Sequence, residues 1–107
     1  VLVSQILKVK GDLVFTAGPE ESLAALAAFL HSRRVGAVVI IEHSDVVGIF
    51  SERDLVRAIA EGGDAALVKP VAAFMTRDVI FATPDETVDA LLTRMTDRKL
   101  RHLPVVI

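Results

Sequence analysis

The 107-residue chain contains no cysteine, tryptophan or tyrosine, and five phenylalanines are its whole aromatic content. Without cysteine there is no disulfide, no thiolate metal site and no thiol nucleophile. So few rings make a poor stacking platform for single-stranded nucleic acid. Twelve Lys and Arg against fourteen Asp and Glu give a net charge of −2, not the basic footprint of a nucleic-acid binder. No apolar run approaches the roughly 18 residues of a membrane span. No cleavable signal pattern opens the chain, so a cytoplasmic protein is expected. His31 falls late in an expected helix and His43 in a turn, and neither has a second ligand beside it at metal spacing. The sequence has no evident Ser-His-acid arrangement and no positioned carboxylate pair, so no catalytic activity is expected.

What the chain does have is apolar content, 52% of its residues, and a repeat. That suffices for one core or for two small halves sharing one. Pro19-Glu20-Glu21-Ser22-Leu23-Ala24-Ala25-Leu26 returns 65 residues later as Pro84-Asp85-Glu86-Thr87-Val88-Asp89-Ala90-Leu91. Over the 23 positions from Pro19 to Ile41, five are identical and nine more are conservative. Val71-Ala72-Ala73-Phe74-Met75 echoes Val3-Ser4-Gln5-Ile6-Leu7. This predicts a first repeat over 1–64, a linker over 65–70 and a second repeat over 71–107. Duplicated units leave crevices between copies, which are natural binding sites.

The element pattern is mixed α/β. Lys8 to Asp12 reads as a turn and Leu13 to Thr16 as a short strand. Leu23, Leu26, Ala27 and Leu30 make one helical stripe, with Pro19 in the first turn and Glu20 and Glu21 at the positive end of the dipole. Val35 to Ile41 is β-branched and reads as a buried strand. Glu42 to Asp45 turns the chain into a partner strand over Val46 to Phe50. Ser51 opens a second helix with Leu55, Val56 and Ile59 facing inward, and Gly62-Gly63 ends it. Thr83 and Glu86 suggest a capping box for a helix whose stripe is Val88, Leu91, Leu92 and Met95. Leu103 to Ile107 reads as a strand. By the repeat period, the second copy lacks roughly 15 to 20 residues at its C-terminal end.

The stretch with most chemical content is Gly48-Ile49-Phe50-Ser51-Glu52-Arg53-Asp54, running strand, tight transition, helix. Ser51 at the N-cap and Asp54 at N3 fit a capping box, both side chains serving backbone N–H groups. The same pair fits a second role. A helix N-terminus offers free N–H groups and positive potential. A hydroxyl and a carboxylate there can hold the diol of a ribose.

Taken with Met75-Thr76-Arg77-Asp78-Val79, Arg101-His102-Leu103-Pro104-Val105-Val106 and Val35-Gly36-Ala37-Val38-Val39-Ile40, this stretch makes the chain resemble a tandem pair of cystathionine β-synthase (CBS) domains, a Bateman module. The resemblance covers almost the whole chain and rests on the order and spacing of the pieces. It implies two pseudo-symmetric repeats, each a small mixed sheet packed by two helices, the second truncated. It also implies a regulatory module that binds an adenosine-containing ligand, such as AMP, ADP, ATP, NADH or S-adenosylmethionine, between the repeats. Ser51 and Asp54 would grip the ribose, Val79 and Ile80 the adenine, and Arg101 and His102 the phosphates. A possible second cleft would use Phe15, Thr16, Gly36 and Ala37. The family further implies a homodimer and an unknown regulated partner, with no required cofactor. The alternatives are a ligand-free dimerisation module and a regulatory fragment of a larger enzyme or transporter.

Overall fold

The structure is a computed structural model that describes residues 1–10, 14–100 and 102–105. Its elements in chain order are α1 (Val3–Lys10), β1 (Thr16–Ala17), α2 (Leu23–Arg33), β2 (Ala37–Glu42), β3 (Asp45–Ser51), α3 (Glu52–Gly62), two 3-10 segments (Gly63–Val68 and Val71–Ala73) and α4 (Val88–Arg98). They fall into two units. The larger is Val14–Val79; the smaller combines Val1–Leu13 with Ile80–Ile107.

In the larger unit the sheet order is β1-β2-β3. β1 runs parallel to β2, pairing Thr16 with Val39 and Ala17 with Ile40, and α2 forms the crossover. β2 and β3 make an antiparallel hairpin with an irregularity between Ile40 and Ile41. The hairpin loop is His43 and Ser44, at φ of 52° and 69°. Two consecutive left-handed residues match the twist of the flanking strands, which is why this two-residue loop accepts them. β2 is the central strand, and Val38, Val39 and Ile40 are all buried, as its unbroken apolar run predicts. Leu23, Leu26 and Leu30 of α2 pack with Val38, Ile40 and Phe50 of the sheet, and with Ala58, Ala66, Val71 and Met75. Burying a Val, Leu, Ile, Phe or Met side chain contributes about 1.5–3 kcal/mol.

The smaller unit holds α1 and α4. Val3 and Ala82 are its buried apolar residues among those described. Ala82 bridges Val105 in parallel, and the Ala82 N–H donates to the Pro104 carbonyl at 2.8 Å. No residue of α4 is fully buried, and Leu92 of its expected inner stripe is half exposed.

The repeat is visible inside each unit. Helices α2 and α4 span equivalent positions, capped by Ser22, whose hydroxyl accepts from the Ala25 N–H, and Thr87, whose hydroxyl accepts from the Ala90 N–H. Both end in a left-handed residue, Arg34 at φ 55° and Lys99 at φ 57°. Ahead of each cap the backbone meets a distant segment. Val71 N–H donates to Glu21 O, Ala72 N–H to Pro19 O, and Leu23 N–H to Lys69 O. In the smaller unit, Val3 N–H donates to Glu86 O, Ser4 N–H to Pro84 O, and Val88 N–H to Val1 O. The segment that leads into each sequence copy therefore docks on the helix start of the other copy.

These bonds explain where the helix starts depart from expectation. The helix expected from Pro19 begins at Leu23, because the Pro19 and Glu21 carbonyls are committed to Ala72 and Val71. Gly18 N–H donates to the Glu21 carboxylate at 2.6 Å, which closes a turn there. Thr83 and Glu86 also do not cap a helix. Thr83 N–H donates to Glu86 Oε1 at 2.9 Å and Glu86 N–H to Thr83 O at 3.2 Å, which closes a turn ahead of the real cap, Thr87.

Other differences are local. Lys8 to Lys10, expected in a turn, continue α1, whose first turn is tied by Leu2 N–H donating to Gln5 Oε1 at 2.7 Å; Gly11 and Asp12 lie outside the described residues. The strand expected over Leu13 to Thr16 is Thr16–Ala17, with Leu13 also outside. On α3, Val56 and Ile59 are exposed rather than inward, since Asp54 and Ala58 take the buried face. The strand expected over Leu103 to Ile107 is represented by the bridge at Val105; Val106 and Ile107 lie outside the described residues.

Candidate functional site

β3 ends and α3 begins at Ser51, which is extended at φ −119°, ψ 167°. Ala37 is its partner across the hairpin, and Glu52 N–H donates to the Gly36 carbonyl at 3.0 Å. Here the capping box forms in full. The Asp54 N–H donates to Ser51 Oγ at 3.3 Å, and the Ser51 N–H returns a bond to Asp54 Oδ2 at 2.9 Å. The Ser51 hydroxyl also donates to Oδ2, at 3.2 Å.

Asp54 is only 4% exposed, the one fully buried charged residue among those described. A carboxylate removed from water needs donors on both oxygens. Thr76 supplies one, its hydroxyl lying 3.2 Å from Oδ1, and Arg57 supplies another, with Nη2 3.1 Å from the same oxygen. Arg57 Nη2 also donates to the Phe74 carbonyl at 2.8 Å. Thr76 is itself fixed to β3: Ile49 N–H donates to Thr76 O, and Thr76 N–H to Ile49 O, each at 2.9 Å. One turn of helix, one strand and the segment 74–76 thus converge on a single carboxylate.

Gly48 permits that convergence. A Cβ there would sit 2.7 Å from Met75 Sδ and 3.0 Å from the Thr76 carbonyl oxygen. Sequence reasoning placed Ser51 and Asp54 together but gave Arg57 and Thr76 no role. Thr76 stands in the quoted Met-Thr motif, so a signal was there. Arg57 carries only the weak signal of its spacing from Asp54 on one helix.

The remaining site residues lie as follows. Val79 is half-buried at the end of the larger unit, its N–H donating to Arg77 O at 3.0 Å. Ile80 is half-buried and belongs to the smaller unit. His102 is exposed in that unit, and Arg101 lies outside the described residues. Of the four residues of the possible second cleft, Gly36 and Ala37 adjoin Ser51 and Glu52. Thr16 pairs with Val39. Phe15 packs edge-on against Phe29 with ring centroids 5.6 Å apart, beneath the Arg33 guanidinium. An open crevice of about 710 Å³ lies between α2 and α3, lined in part by Leu30, His31, Arg34, Gly36, Glu52 and Val56. Among the described residues no three His, Asp or Glu side chains converge as metal ligands, and no helix is long and apolar enough to cross a membrane.

The chain that carries this strand–Ser-x-x-Asp–helix arrangement matches a known family. The family model described as "CBS domain" matches residues 9–61 and 71–107. The chain belongs to the CBS-domain family. Its backbone superposes on the CBS-domain containing protein ATU1752 from Agrobacterium tumefaciens with a TM-score of 0.97 at 40% identity, over 100% of this chain and 86% of that one. The CBS domain pair of protein MJ0100, solved in complex with 5′-methylthioadenosine and S-adenosyl-L-methionine, matches with a TM-score of 0.87 at 30% identity, over 100% of this chain and 81% of that one. Among curated proteins, an uncharacterized 17.7 kDa protein of Acidianus ambivalens is 34% identical over 105 residues, covering 97% of this chain and 60% of the relative. The chain therefore spans about three fifths of that relative's length. The mixed α/β fold, with a three-stranded sheet and four α-helices among the described residues, is that of CBS pairs.

Proposed function

We propose that this CBS pair is a regulatory module that binds an adenosine-containing ligand, with Ser51 and Asp54 holding the ribose. The observation that carries the reading is the MJ0100 CBS pair, 30% identical, whose two ligands share one chemical part, adenosine. The Ser51–Asp54 pair at the start of α3 supports it, being a preoriented hydroxyl and carboxylate at a helix N-terminus. In this reading Val79 and Ile80 contact the adenine, Arg101 and His102 a phosphate or other 5′ group, and Phe15, Thr16, Gly36 and Ala37 a second ligand. The repeats are 1–64 and 71–107, joined by 65–70, and the ligand state is passed to a partner by a homodimer. The module has no catalytic step of its own.

Calorimetric titration with AMP, ADP, ATP, NADH, S-adenosylmethionine and 5′-methylthioadenosine tests it. At least one should bind below the millimolar range and weaken at least about tenfold in Ser51→Ala and in Asp54→Asn, as loss of a charge-assisted hydrogen bond implies. If no compound binds, the module is a structural dimerisation unit. The exposed Val56, which lines the crevice, and the exposed Ile59 on the same helix favour that second reading.

A further inference from the structure

A carboxylate accepts about four hydrogen bonds. Asp54 already has four donors: the Ser51 N–H and hydroxyl on Oδ2, and the Thr76 hydroxyl and Arg57 guanidinium on Oδ1. A ribose hydroxyl can donate to this carboxylate only if one of them leaves. The Ser51 N–H and hydroxyl both belong to the capping box, the hydroxyl oxygen being fixed there by the Asp54 N–H that donates to it, and Thr76 is held by its backbone pairing to Ile49. Arg57 differs. Its side chain is 50% exposed, against 6% for Asp54, so water can take over its bonds at little loss. The same guanidinium nitrogen also reaches the Phe74 carbonyl, so its departure frees that carbonyl as well.

We propose that Arg57 is a built-in competitor for the ligand, occupying the oxygen of Asp54 that a ribose hydroxyl takes and linking occupancy of the site to the segment at Phe74. The inference rests on the ribose role proposed for Asp54. It adds an autoinhibitory contact whose strength sets the affinity. It also gives the site an output, since the 74–76 segment loses one of its ties to α3 when the ligand is present.

The probe is 5′-methylthioadenosine, which carries no phosphate, so Arg57 cannot act on it as a general anion receptor. Arg57→Met keeps the aliphatic stem and removes the donors. Titration calorimetry should show this variant binding about fivefold tighter than the wild type, the size expected from releasing a half-exposed ion pair and its associated hydrogen bond. Equal or weaker binding by a folded Arg57→Met overturns the competitor role. If wild-type binding is lost in Asp54→Asn, the ribose reading survives that result. If neither wild type nor variant binds, both fall. A measurement on the wild type covers a variant that fails to fold. The Arg57 guanidinium protons, followed by NMR, should become solvent-exchanging on saturation with the probe; protection that persists in the bound state refutes the exchange.

Discussion

Replacing Gly48 with Ala tests the packing that brings the 74–76 segment to Asp54. The new methyl group would lie 2.7 Å from Met75 Sδ, 3.0 Å from Met75 Cγ and 3.0 Å from the Thr76 carbonyl oxygen. The thioether is flexible, but Met75 is only 7% exposed and sits in the core, so it has little room to retreat. The carbonyl is backbone, and it is the acceptor for the Ile49 N–H. Overpacking of this kind costs about 1–3 kcal/mol. Weakening the Ile49–Thr76 pair adds roughly 0.5–1.5 kcal/mol for each bond lost. Against this stands a gain of about 0.4–1 kcal/mol, because alanine restricts the unfolded chain. The net expectation is a destabilisation of about 1–3 kcal/mol. For a chain of this size that lowers Tm by roughly 5 to 20 °C. Thermal and urea denaturation followed by circular dichroism measure it. Met75→Ala in the same chain should relieve part of the clash, so the double variant should be less destabilised than the two single changes added together. A Gly48→Ala protein as stable as the wild type, or fully additive behaviour with Met75→Ala, would show that the close approach does not exist.

Two further outcomes follow from the smaller features. Ser22→Ala and Thr87→Ala each remove a hydroxyl that accepts from a first-turn N–H at 3.1 Å, and each should cost about 1 kcal/mol in urea denaturation; a near-zero effect at either site denies its capping role. The Arg94 guanidinium beside Glu86, with the Thr83 N–H, holds the Glu86 carboxyl below the usual glutamate range. A depressed folded-state pKa stabilises above the unfolded value and is lost as pH falls through the folded one, so stability should decline in the acid range. Glu86→Gln should flatten that part of the pH–stability curve; an unchanged curve rules out the contribution.

The helix–strand grammar of the chain could be read because α2 and β2 carry strong, local signals. The leucine stripe of α2 and the unbroken β-branched run of β2 need no knowledge of what lies elsewhere. The capping box at Ser51 was equally legible, since its partners are three residues apart. What escaped were features decided by distant residues. Pro19 reads as a helix start until Val71 and Ala72 take the nearby carbonyls. Val56 and Ile59 read as core until the buried face of α3 proves to be Asp54 and Ala58. Arg57 carries only its spacing from Asp54 and Thr76 only its place in the Met-Thr stretch; the fold brings both to the carboxylate.

The exchange of lead-in segments between the two copies has a consequence for how the chain acquires its structure. Neither copy can be completed by its own sequence. The backbone ahead of α2 waits for residues 69–72, and residues 1–4, made before α4, wait for the backbone ahead of that helix. The larger unit, a continuous stretch from Val14 to Val79, can mature while the rest is still being synthesised. The smaller unit must close its two chain segments across that whole stretch, which places it late and makes its formation the slow, non-local step. A gene fragment carrying either copy alone would encode a helix with an open seam at its start. Once the duplication had traded these segments, losing one copy would leave the other unable to stand as it does here.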